Sequence, residues 1–109
     1  MNLTTRQWGI VGLAVATALI HLALAFGGGG FFMVAFLLNA VGYLALVAAL
    51  YFLPQFAKQR ELVRWALLGF TAVTFILYFV FNWPDVWSPM GLLDKGIELA
   101  LMVLLWLDR

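Results

Sequence analysis

The chain has no cysteine, one histidine and three prolines, and Asp, Glu, Lys and Arg together make up only 10% of its 109 residues. Without cysteine there is no disulfide scaffold and no covalent c-type haem attachment. One histidine alone cannot supply bis-histidine haem ligation or a structural zinc site, so no metal site is expected. So little charge also argues against intrinsic disorder. In an ordinary soluble domain about a quarter of residues are charged and roughly half are apolar. Here 66% are hydrophobic and the mean hydropathy is +1.06. Such a chain cannot cover its own surface with polar groups, and the expectation is a membrane protein.

From Gln7 to Ala57 there is no Asp, Glu, Lys or Arg. A bilayer core of ~30 Å needs about 20 helical residues, so this stretch is too long for one crossing. Gly27, Gly28, Gly29 and Gly30 therefore read as a tight turn between two spans, at 7–26 and 31–53. Pro54 opens a charged loop containing Lys58, Arg60 and Glu61. A third span, 62–82, ends at Asn82-Trp83-Pro84, because proline disfavours helix in the residue before it. Ser88-Pro89 supplies a cap and a first-turn proline for a fourth helix, 89–107. The first apolar run resembles a signal peptide, with Ala23-Leu24-Ala25 as a cleavage site, but is longer than the usual signal core of about 7–15 residues, so a retained helix is expected.

Arg6, Lys58, Arg60, Arg64 and Arg109 fall at the amino terminus, the central loop and the carboxyl terminus. With four spans these places share one side, and the positive-inside rule makes that side cytoplasmic. Trp8, Tyr51, Trp65 and Trp106 then lie near the inner interface, and Trp83 and Trp87 near the outer one. The expected fold is all-α: a single-domain integral membrane four-helix bundle over residues 1–109, up-down-up-down, multi-pass in the plasma membrane, with both termini cytoplasmic.

In lipid, helices associate through small residues and internal hydrogen bonds. Three- and four-residue spacings place Ala14, Thr17, Ala18, His21 and Ala25 on one stripe of the first helix. The same spacing groups Ala35, Asn39, Gly42 and Ala49 on the second, and Thr71, Thr74, Tyr78 and Asn82 on the third. The phenylalanine-rich remainder is expected to face lipid or a partner. On the fourth helix Asp94 and Glu98 are four apart and share a face, and Lys95, three before Glu98, can pair with it. At ~1.5 Å per residue Glu98 lies about 14 Å inside the helix start. A charge at that depth is costly, so it should face the bundle and find partners. His21, Asn39, Tyr78, Asp94, Lys95 and Glu98 thus form a candidate polar cluster in the outer half of the bundle, contributed by all four helices. Two carboxylates against one lysine leave a charge of −1, which a protonated His21 would neutralise. The cluster reads either as a buried network fixing helix register or as a site for a proton, a quinone head group, a pigment or another lipophilic ligand.

No catalytic motif is present: the glycine turn lacks the Lys and Ser/Thr of a phosphate-binding loop, there is no hydrolase elbow, and the basic loop is too short to bind nucleic acid. The stretch Ser88-Pro89-Met90-Gly91-Leu92-Leu93-Asp94-Lys95-Gly96-Ile97-Glu98-Leu99-Ala100 resembles the final helix of small four-span membrane proteins of unknown function from bacteria and haloarchaea. In size and plainness the chain is also similar to small accessory subunits of respiratory or photosynthetic electron-transfer complexes, such as alternative complex III or a reaction centre. That likeness implies a non-catalytic subunit with no intrinsic cofactor, contacting membrane lipid and other integral subunits, with a quinone, pigment or lipid at a subunit interface. The alternative is a small binding protein or transporter that uses the polar cluster, as a homo-oligomer.

Overall fold

The computed structural model describes residues 3–27 and 29–108; Gly28 of the glycine turn and Arg109 of the basic census lie outside the described residues. Among the described residues there are four α-helices and no strand: α1 (Thr5–Gly27), α2 (Gly30–Tyr51), α3 (Arg60–Asn82) and α4 (Pro89–Leu107). Three helical segments are long and apolar enough to cross a membrane: α1, α2, and α3 taken with the 3-10 turn before it. At about 1.5 Å per residue each of these helices exceeds 30 Å, and the molecule is 40 Å along its longest axis. α4 differs because Asp94, Lys95 and Glu98 all fall within its first ten residues.

Local chemistry sets the helix ends. The Thr4 hydroxyl accepts from the Gln7 backbone N–H at 3.1 Å, and the Gln7 side chain accepts from the Thr4 N–H at 3.0 Å. This reciprocal capping box starts α1 two residues earlier than the charge pattern implied. Gly30 takes a φ of 57° between α1 and α2, where a Cβ would be strained. Pro54 opens a 3-10 turn, Pro54–Gln59, rather than an irregular loop. Ser88 caps α4 as expected, its hydroxyl accepting from Gly91 N–H at 3.1 Å with Pro89 in the first turn.

Each helix packs on two neighbours: α1 on α2 and α4, and α3 on α2 and α4. The apolar core contains Ile10, Ala14, Ala18, Tyr43, Val47, Leu50, Leu67, Leu101 and Leu105. The buried face of α1, with Ala14, Thr17, Ala18, His21 and Ala25, is the stripe read from the sequence. On α2 the face is rotated. Its buried residues are Ala40, Tyr43, Val47, Leu50 and Tyr51, while Ala35, Asn39, Gly42 and Ala49 are half-buried. α2 is apolar all round, so its small residues do not by themselves mark the core side; Asn39 and Gly42 lie against α3 instead. On α3 the buried residues are Val63, Arg64, Leu67, Thr71 and Thr74, and Asn82 is exposed. Many large apolar side chains remain uncovered, among them Phe26, Phe31, Leu38 and Val80.

A Cβ at Gly42 would run into the Phe70 ring, whereas one at Gly69 would meet nothing within 4 Å. Phe70 is itself held edge-to-face against Tyr43, with ring centroids 4.8 Å apart. Gly42→Ala should therefore destabilise the protein by about 1–3 kcal/mol through overpacking, and Gly69→Ala should be neutral or slightly stabilising. Thermal unfolding of the two variants in detergent checks this; equal losses would contradict the α2–α3 packing.

Candidate functional site

One group of buried charges sits where α1, α2, α3 and α4 meet. Asp94, Lys95 and Glu98 are all buried, and Glu98 is 0% exposed. The one-turn spacing on α4 brings Lys95 Nζ into an ion pair with Glu98 Oε1, and Lys95 Nζ also lies 3.5 Å from Asp94 Oδ2. From α1, Thr17 Oγ1 lies 2.6 Å from Asp94 Oδ1 and 3.1 Å from Glu98 Oε2. Its single proton serves the shorter contact. From α2, the Tyr43 hydroxyl donates to Glu98 Oε2 at 3.4 Å. From α3, the Tyr78 and Phe75 rings flank the Lys95 ammonium at 5.0 and 5.9 Å, an added source of cation stabilisation.

His21 completes the cluster. Its Nδ1 lies 2.8 Å from the Thr17 carbonyl oxygen. A carbonyl can only accept, so Nδ1 carries a proton and donates. The other ring nitrogen, Nε2, then faces two carboxylate oxygens, Asp94 Oδ2 at 3.6 Å and Glu98 Oε2 at 3.9 Å. The ring is packed by Phe36 and Tyr43, with centroids 5.8 and 6.2 Å away. One donor atom each from His21, Asp94 and Glu98 lies within 4.8 Å of the others, a spacing a metal ion requires. Lys95, paired with both carboxylates, already places a cation beside them.

Of the residues singled out by sequence, His21, Asp94, Lys95 and Glu98 come together directly. Tyr78 touches the cluster through its ring, while its hydroxyl donates to the Val86 carbonyl at 2.7 Å. Asn39 does not reach it. Its side-chain amide donates to Thr74 Oγ1 at 2.8 Å, and its Oδ1 is buried without a partner. Sequence reasoning passed over Tyr43, though it stands four residues after Asn39. It also grouped Arg64 with the basic residues of the central loop. Arg64 is 1% exposed; it donates to the Leu105 carbonyl and pairs with Glu61. Arg64 thereby ties the start of α3 to the last turn of α4.

Fold and site together define an all-helical protein with membrane-like apolar helices around a buried ionic cluster. Comparison of the chain with protein-family models, curated proteins and solved structures gives no match.

Removing Lys95 alone would leave two carboxylates buried without their cation. Lys95→Met should cost about 3–5 kcal/mol. The double variant Lys95→Met/Glu98→Gln should recover a large part of that loss. A double-mutant cycle on thermal unfolding measures it, and strictly additive losses would contradict the pairing.

Proposed function

We propose that this chain is a four-span protein of the plasma membrane whose buried His21–Asp94–Lys95–Glu98 cluster holds one exchangeable proton. The observation that carries the reading is His21 Nε2. With Nδ1 donating to the Thr17 carbonyl, a neutral ring presents the Nε2 lone pair to two carboxylate oxygens at 3.6 and 3.9 Å. A proton there converts two repulsive contacts into two ion pairs and brings the cluster from −1 to neutral. Because the groups are in contact, they exchange that proton as one unit.

A pigment or quinone head group on His21 fits less well, since it would have to displace Phe36, Tyr43 or the carboxylates. The up-down-up-down arrangement is supported by the pairings Arg6–Asp108 and Thr17–Asp94 between α1 and α4, Asn39–Thr74 and Phe31–Phe81 between α2 and α3, and Arg64–Leu105 between α3 and α4. In each set one residue number rises as the other falls, or the contact joins the start of one helix to the end of the next. The positive-inside rule, applied to Arg6, Lys58, Arg60 and Arg64, supports a cytoplasmic side for both termini.

Infrared difference spectra of the protein in bilayers, recorded as pH is stepped, test the proton reading. A carboxyl or imidazole band should titrate by one proton per chain, vanish in Glu98→Gln and His21→Phe, and persist in Asp85→Asn. A cluster silent at every pH where the fold survives would be a fixed knot, such as a scaffolding accessory subunit needs, and the proposal would fail. The absence of natural cysteine makes the topology separately testable. Trp87→Cys should react with a membrane-impermeant maleimide from outside the cell and Lys58→Cys should not; the reverse pattern would invert the orientation.

A further inference from the structure

The ionic cluster has unlike surroundings toward the two ends of the bundle. Toward Asp108 the interior is filled by Ile10 and Ala14 of α1, Val47 and Leu50 of α2, Leu67 of α3 and Leu101 and Leu105 of α4, each 4% exposed or less. Asp108, the next acid on α4, is ten residues beyond Glu98, about 15 Å of helix. A charge entering that apolar layer gives up its partners and finds no water in exchange.

Toward the 83–88 loop the distance is shorter, since Lys95 follows Pro89 by six residues, about 9 Å of helix. Tyr78 spans it. Its half-buried ring lies over the Lys95 ammonium at 5.0 Å, and its hydroxyl donates to the Val86 carbonyl at 2.7 Å. Val86 is the one buried residue from 81 to 90, so the loop is tucked inward at the point where Tyr78 is fastened to it. Gly91 leaves room for this: a Cβ there would run into the Tyr78 hydroxyl. The groups facing His21 are Thr17 on its own helix, Tyr43 from α2, and Asp94 and Glu98 from α4. Lys95 joins them through the two carboxylates, and Tyr78 of α3 joins them through Lys95.

We propose that the cluster exchanges its proton with the aqueous phase at the 83–88 end alone, beneath a lid formed by Tyr78 and latched on the Val86 carbonyl, so that the chain senses pH on that side and does not conduct protons across the bundle. The inference rests on the proton reading for what is exchanged and adds the side and the route. When the Tyr78 hydroxyl leaves Val86, the ring is free to swing off the ammonium, and the cluster meets water that the exposed residues around Val86 already touch. The apolar layer on the far side stays closed throughout, because no hinge of this kind crosses it among the described residues. The closed lid sets the rate of exchange, while the cluster sets the pH at which exchange occurs.

The test uses the protein in sealed phosphatidylcholine vesicles whose interior is buffered. The fraction of chains with the 83–88 end outward is counted in each preparation by labelling Trp87→Cys with an impermeant maleimide, and preparations of differing orientation are compared. When the external pH alone is stepped, the amplitude of the titrating infrared band should rise in proportion to that fraction, and the remaining chains should respond only after a proton ionophore is added. An external amplitude that falls as the fraction rises would put access at the opposite end. A full response without ionophore would mean access from both ends, and either result overturns the proposal. A band that does not titrate even with ionophore overturns the proton reading itself, and this inference with it. The lid is tested by the time the band takes to shift on transfer from H2O to D2O. Tyr78→Phe keeps the ring and removes the latch, and should shorten that time by about fivefold or more at unchanged amplitude. Gly91→Ala, which displaces the same hydroxyl, should act in the same direction. Unchanged or slower exchange in Tyr78→Phe would overturn the lid, whether or not Gly91→Ala folds.

Discussion

A lysine and two carboxylates taken out of water set the terms for the rest of this structure. Each ion loses several kcal/mol of hydration on burial, and the loss is offset only by close partners and hydrogen bonds. α4 supplies the cation and both anions itself through the spacing of Asp94, Lys95 and Glu98, but it cannot complete their coordination. Thr17 and His21 of α1, Tyr43 of α2 and the Tyr78 ring of α3 do so. α1 also packs directly on α4. At Gly9 even a Cβ would come within 3.2 Å of Leu104 on α4.

A second polar layer lies further along α4. Asp108 accepts from Tyr51 at 2.7 Å and pairs with Arg6 at 3.2 Å, while Arg64 donates to the Leu105 carbonyl. Between the two layers the core is apolar, with Ile10, Val47, Leu50, Leu67, Leu101 and Leu105. Apolar surfaces surrounded by hydrocarbon can slide past one another at little cost, because lipid tails compete equally for them. The two polar layers cannot slide without stranding a charge, so they fix helix register. This register also holds Phe70 between Gly42 and Tyr43, so that Tyr43 stays under the carboxylate it serves.

The sequence made the helices legible because long uncharged runs, one glycine cluster and the prolines have few other readings in a chain of this composition. The inward face of α1 was legible because alanine, threonine and histidine interrupt a run of larger apolar residues at helical spacing. The ionic triplet of α4 was legible for the same reason. On α2 nothing contrasts: Tyr43 is one large apolar residue among many, and only its partner Glu98, distant in sequence, makes it part of the site. Arg64 was grouped with the central loop because a basic residue near a helix start ordinarily stays outside the apolar slab. Here the guanidinium instead reaches the Leu105 carbonyl at the end of α4, a tertiary fact. Asn39 was grouped with the cluster by depth alone, and its rotation toward Thr74 depends on how α2 turns against α3.

The account rests on the ionic cluster facing inward among the helices rather than into lipid or water. The single histidine makes this directly measurable, because its ring gives one unambiguous set of nitrogen signals. In solid-state NMR of the protein in bilayers, the His21 ring nitrogens should show through-space contacts to the side-chain carboxyl carbons of Asp94 and Glu98. Contacts from the ring to acyl chains, with none to either carboxyl, would contradict it.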